Sequence, residues 1–201
     1  MVRQLPTEEQ KKAARIRQDA LVGIHLHNTR ISRLSARTRF TDWLALAVPI
    51  LYVPVRFLAK GTSVFQTVEA VWEVLAATLL VTAASRIVLQ WDRQLEEHYK
   101  YRDDDLRLAD QAAGILDGVT QEGITRLNAL DQISRRQDFD SIHSTVAERQ
   151  KAYRMALMEF YTSGEVAECP HCHSRPDEFM PGDCPACGNT RRTQRDTEGK
   201  N

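Results

Sequence analysis

Apolar residues follow three different rhythms along this chain. From Thr7 to Arg39 they recur at helical spacing, with Ala13, Ile16, Ala20, Ile24, Ile31 and Leu34 keeping one face apolar. Thr7 with Gln10 three residues on has the spacing of a capping box and marks the start of that helix. The opposite face is basic, carrying Lys11, Lys12, Arg15, Arg17, Arg30, Arg33, Arg37 and Arg39. Such a face serves either as a contact for anionic lipid or nucleic acid, or as the positive flank of a membrane span.

The second rhythm is nearly continuous. Trp43 to Val55 has no charge, and Arg56 is followed by Phe57, Leu58 and Ala59. At ~1.5 Å per residue this stretch covers about 25 Å, a little less than a ~30 Å hydrocarbon core. Lys60-Gly61-Thr62-Ser63 reads as a turn. A second apolar stretch runs from Val64 to Trp91, interrupted by Glu69, Glu73 and Arg86. Each stretch alone fits a buried helix of a soluble bundle. Together they read as a two-span hairpin. Trp43 and Trp91 would share one membrane interface, and four arginines before the first span outweigh Arg56 and Lys60 in the turn, so both termini are expected in the cytoplasm. Arg86 can snorkel toward the Trp91 interface, and Glu69 and Glu73 lie near the other end. On the second span Thr78, Thr82 and Ser85 form a hydroxyl stripe bordered by Arg86, with Glu69 and Glu73 on roughly the opposite face. These six are the candidate pore-lining residues; the equal alternative is that the small and hydroxylated positions are packing glue between helices.

From Asp92 the chain is polar with sparse apolar positions. Leu95, Tyr99, Leu106, Ala109, Ala113 and Leu116 predict a helix that continues from the second span, broken between Asp117 and Gly123. Shorter helices are expected near Ile124–Arg136 and Ser141–Thr162, the latter capped by Ser141 and stopped by Gly164. The acidic run Asp103-Asp104-Asp105 is expected to be solvated rather than a cation site, and His25 and His27 have no evident partner. The resulting segments are a basic helix (1–42), the hairpin (43–91), a cytosolic helical region (92–165), a cysteine ribbon (166–190) and a polar, disordered tail (191–201). The fold class is therefore mainly α, with a transmembrane hairpin, cytosolic helices and a small C-terminal ribbon.

Composition narrows the chemistry. Lys+Arg and Asp+Glu are 27 each in 201 residues, so net charge gives no argument for a polyanionic partner. A mean hydropathy of −0.43 excludes a polytopic membrane protein but not one hairpin. The first 28 residues are charged throughout, so no cleavable signal peptide is expected. All 4 cysteines lie close together, as Cys169-Pro-His-Cys172 and Cys184-Pro-Ala-Cys187-Gly188, which favours a metal site in a reducing compartment over a disulfide scaffold. Two C-x-x-C turns facing one another supply a closed tetrahedral S₄ shell, structural rather than catalytic, with Zn²⁺ the expected ion. Iron in a rubredoxin-like site or a redox dithiol pair are the alternatives; His171 and His173 could substitute as ligands, but beside four cysteines they are expected as exposed loop residues. Gly188 should let the backbone curl back so that amides face sulfur, and the connection between the two turns is long enough for a small hairpin. The P-loop, G-x-S-x-G and H-E-x-x-H signatures are absent from the sequence, so no enzyme is expected.

The order of basic helix, hairpin from Trp43 to Trp91 and long helix from Asp92 resembles the SLATT family of two-transmembrane effector domains associated with bacterial nucleotidyltransferase and nucleotide-sensor genes. The spacing Cys169-x₂-Cys172-x₁₁-Cys184-x₂-Cys187 is similar to that of mobile-element proteins named for it. The first resemblance implies an inner-membrane effector of anti-phage defence that forms homo-oligomeric pores when a nucleotide or oligonucleotide signal changes; it transfers no catalytic residue. The other expectation is a membrane-tethered zinc ribbon that recruits nucleic acid or protein through its Arg191, Arg192 and Arg195 tail.

Overall fold

A computed structural model describes residues 7–61, 63–118, 120–141, 144–161 and 168–190; of residues 133–141 it describes the backbone alone. The expected stop at Gly164 and the tail with Arg191, Arg192 and Arg195 lie outside these residues. The described chain is helical: α1 (Glu8–Ala59), α2 (Phe65–Val88), α3 (Trp91–Asp117), α4 (Gln121–Ser141) and α5 (Val146–Phe160), followed by the cysteine region. Two compact units emerge, one from residues 1–29 with 99–201 and one from residues 30–98.

In the first unit the expected face of α1 is the buried one. Ala13, Ile16, Ala20 and Ile24 pack with Leu108, Ala109, Ala112 and Ile115 of α3, Leu127 of α4 and Ala156 of α5. Burial of each Ile or Leu contributes about 1.5–3 kcal/mol. The Thr7 capping box is present, Thr7 N–H donating to Gln10 Oε1 (2.9 Å) and Gln10 N–H to Thr7 Oγ1 (3.3 Å). The break after Asp117 falls where the glycines place it. The buried face of α3 is rotated from the expected one: Leu106 and Tyr99 are exposed, and Asp105 is buried. Asp105 is therefore not solvated. Its Oδ2 lies 3.9 Å from Nε2 of the fully buried His27, and Tyr101 packs against the His27 ring at 5.7 Å. Gly23 makes room for this pair, since a Cβ there would lie 2.2 Å from the Asp105 carboxylate. His25 also has a partner, Glu159 at 3.1 Å. Ser141 is not a cap; it is the last residue of α4. The cap of α5 is Thr145, whose side chain accepts from Glu148 N–H while the Glu148 carboxylate accepts from Thr145 N–H.

In the second unit, α1 runs without interruption past the expected boundary at Asp42 and Trp43 and through Pro49 and Pro54. Each proline removes one intrahelical hydrogen bond, leaving the carbonyls of Ala45 and Ile50 without their usual donors. α1 and α2 are both long and apolar enough to cross a membrane. Half-buried Leu44, Ala47, Val48 and Tyr52 of α1 and Phe65, Val68, Trp72, Leu75 and Leu79 of α2 lie in the stretches that pair across the turn, Tyr52 and Trp72 meeting edge to face at 5.2 Å. α2 does not continue into α3. It ends at Val88, and Gln90 adopts a left-handed backbone (φ 50) before Trp91 begins the next helix. The Gln94 side chain donates to the carbonyl of Leu89 at this break, 2.9 Å away.

Candidate metal centre

The cysteine region is built from two turns of the same design. Cys169 C=O accepts from His173 N–H (2.8 Å), and Cys184 C=O accepts from Gly188 N–H (2.9 Å). Both closing residues have left-handed backbones, with φ 57 at His173 and φ 72 at Gly188. The curl expected of Gly188 is thus present, and His173 performs the same service in the first turn. Its side chain and that of His171 are exposed, and neither belongs to the ligand cluster. The connection between the turns forms no strand among the described residues. A single antiparallel bridge joins Pro181 to Asn189, reinforced by Thr190 N–H donating to Met180 C=O at 2.9 Å.

The four thiols converge. All four cysteines are buried, and their sulfurs lie within 4.8 Å of one another. Cys169 and Cys184 Sγ are 3.9 Å apart, and Cys172 and Cys187 Sγ 3.4 Å. A metal–sulfur distance of about 2.3 Å sets tetrahedral sulfurs ~3.8 Å apart, so the donor set fits one ion. Burial pushes the Cys169 and Cys187 thiols up, with the amides of His171 and Cys172 opposing it at Cys169. Burial also raises Cys184, but the Cys187 and Ala186 amides and the Cys187 and Cys172 thiols outweigh it and bring that thiol to about 7. The amides facing sulfur would stabilise the thiolates that a metal needs.

The sequence did not reveal what holds this centre from outside. Leu157 and Tyr153 of α5, and Tyr161 just past its end, pack directly on the cysteines. Gln150 donates to Cys184 C=O at 3.2 Å, and the Arg154 guanidinium donates to Cys187 C=O while stacking on Phe179. Burial pushes the Tyr153 phenol up to about 12.

The other candidate residues are distributed differently. Glu69 pairs with Arg56 at 3.1 Å, and Glu73 is exposed. The hydroxyls of Thr78, Thr82 and Ser85 each donate to a carbonyl of their own helix, those of Val74, Leu79 and Val81. Thr82 and Ser85 are half-buried, whereas Thr78 is exposed. Arg86 is held by two carboxylates, bidentately by Asp92 at 2.9 Å and also by Asp42. That guanidinium keeps the Asp92 carboxyl below its ordinary range.

A helical chain with two long apolar helices and a C-terminal four-cysteine metal centre is what these residues define. The chain belongs to the family of mobilome CxxCx(11)CxxC proteins, which it matches over residues 10–190. Neither a comparison with curated proteins nor one with solved structures finds a match.

Proposed function

We propose that this protein is a membrane effector. In this reading the hairpin between Trp43 and Trp91 lies in the bacterial inner membrane, both termini are cytoplasmic, and copies associate into a pore gated by a nucleotide-derived signal. The observation that carries it is the outward apolar surface of the hairpin. Leu46, Ile50 and Val53 of α1 and Val74, Leu80, Val81 and Ile87 of α2 are between 61% and 76% exposed, a surface water would not tolerate at that extent. Helix α2, with 24 residues, measures about 36 Å, enough for a ~30 Å core with some tilt. Prolines inside a long apolar helix are also characteristic of membrane spans. The charges are largely neutralised within the chain, Glu69 by Arg56 and Arg86 by Asp42 and Asp92, which lowers the cost of inserting them.

Two helices per chain cannot enclose an aqueous path, so a pore needs several subunits. The lining would come from the Thr78, Thr82 and Ser85 stripe, with Arg86 joining if its contacts to Asp42 and Asp92 are released; Glu69 and Glu73, on roughly the opposite face of α2, line the groove toward α1 instead. The anti-phage role rests on the likeness to SLATT effectors. Zinc is the ion we assign to the four thiolates, because a closed S₄ shell suits a redox-silent structural metal. Carbonate extraction and ion flux from proteoliposomes test the reading: the protein should stay with the membrane and pass ions, and Thr82→Trp should abolish flux with metal content unchanged. Release by carbonate, or no flux with or without nucleotides, would overturn it. A second reading, a tethered ribbon that binds a partner, is favoured by Met180, 65% exposed beside the metal centre.

A further inference from the structure

The hairpin contains a groove of about 490 Å³ between α1 and α2, within the range of small-ligand sites. Its polar lining consists of two carboxylates and a phenol, from Glu69, Glu73 and Tyr52, and no basic side chain lines it. Trp72 and Tyr52 form an aromatic corner, with ring centroids 5.2 Å apart. Carboxylates and aromatic faces both attract cations. The chain supplies one of its own: the Arg56 guanidinium lies 5.5 Å over the Tyr52 ring and 3.1 Å from Glu69. Glu73 has no ion-pair partner among the described residues, so one acceptor remains for a cation from outside. The rest of the lining, Val48 and Leu79 among it, is aliphatic.

The geometry points to a binding site for a phospholipid with an ammonium headgroup. The phosphate would meet Arg56 beside the groove, one helical turn nearer the loop between α1 and α2; the ammonium would fold back from it to Glu73 and the Trp72 face, and an acyl chain would continue along Val48 and Leu79. A zwitterionic head fits because the groove and its rim offer both signs of charge, and an aliphatic tail fits because the lining is otherwise apolar. This inference rests on the membrane reading of the hairpin.

The full chain in mild detergent, given equimolar phosphatidylethanolamine and phosphatidylglycerol, should retain the first preferentially in native mass spectrometry. A charge-assisted contact of this kind is worth roughly tenfold or more, so Glu73→Gln should remove most of the preference, as should Trp72→Leu. Glu96→Gln, an exposed acid outside the groove, should leave it unchanged. Glu73 is itself exposed and its amide is isosteric, so the variant should fold; equal metal content checks that. Equal retention of the two lipids by the parent chain, or a preference that survives Glu73→Gln, would overturn the site. Carbonate extraction of the same cells separates the two failures: a resistant protein without lipid preference refutes only the site, and a released one refutes the membrane reading as well.

Discussion

His173 and Gly188 stand at equivalent places, each closing the turn begun by the first cysteine of its pair, and both are left-handed. A histidine pays roughly 1 kcal/mol for that backbone, and glycine pays almost nothing. His173→Gly should therefore leave metal stoichiometry at one per chain and stabilise the centre slightly, whereas Cys169→Ser should abolish binding; elemental analysis and metal competition measure both. Loss of metal on His173→Gly would make the imidazole a ligand after all. The sequence made the ligands and Gly188 legible because spacing alone specifies them. At His173 the expectation of an exposed loop residue holds, but residue type gave no sign that its left-handed backbone closes the first turn. The His27–Asp105 pair was not legible at all, because its members are far apart in sequence and an acidic triplet ordinarily faces water. Gly23 is the key to that pair. Gly23→Ala should destabilise the first unit by about 1–3 kcal/mol through overpacking, read as a lowered melting temperature despite alanine's better helix propensity.

Among the elements, α1 was the most legible, since its apolar period survives as the buried face from Ala13 to Leu34. The α2–α3 break was hidden because no glycine or proline marks Leu89 and Gln90, and the turn is made by a left-handed glutamine. At α5 a better signal existed: Thr145 and Glu148 have capping-box spacing, which outweighs an isolated serine at 141. Helix α5 has two tasks. Ala156 faces the helical core, and Leu157, next to it, packs on the cysteines. Leu157→Ala should cost about 2–5 kcal/mol and loosen the metal centre from its support. The double variant Gln150→Ala, Arg154→Ala removes the two side chains that bond ligand carbonyls, so metal affinity should fall by about tenfold with the four ligands intact. Competition with a chromophoric chelator gives that number, and an unchanged affinity would show that α5 supports the centre by packing alone.

At the scale of the whole molecule, two kinds of stabilisation coexist in one chain. The metal centre has few buried residues beyond its cysteines and Leu157, and cross-linking through a bound ion supplies what so small a core cannot. The apolar stretches of the hairpin have almost no fully buried residue within the chain, so in the membrane reading most of its stability comes from lipid and from neighbouring copies. Removing metal should thus affect one region and spare the other. Chelation of purified protein should expose all four thiols to alkylation and make the region around Cys169 to Cys187 sensitive to protease. In intact cells a chain carrying Ser63→Cys, with its four native cysteines replaced by serine, should still insert. Its new thiol, in the turn between α1 and α2, should be labelled by a membrane-impermeant maleimide from outside, while a cysteine placed at Ser32 should be protected. Equal protection of both positions would show that the turn does not cross. Loss of insertion in the variant without native thiols would show that the hairpin depends on the metal centre, contrary to the independence argued from their separate sources of stability.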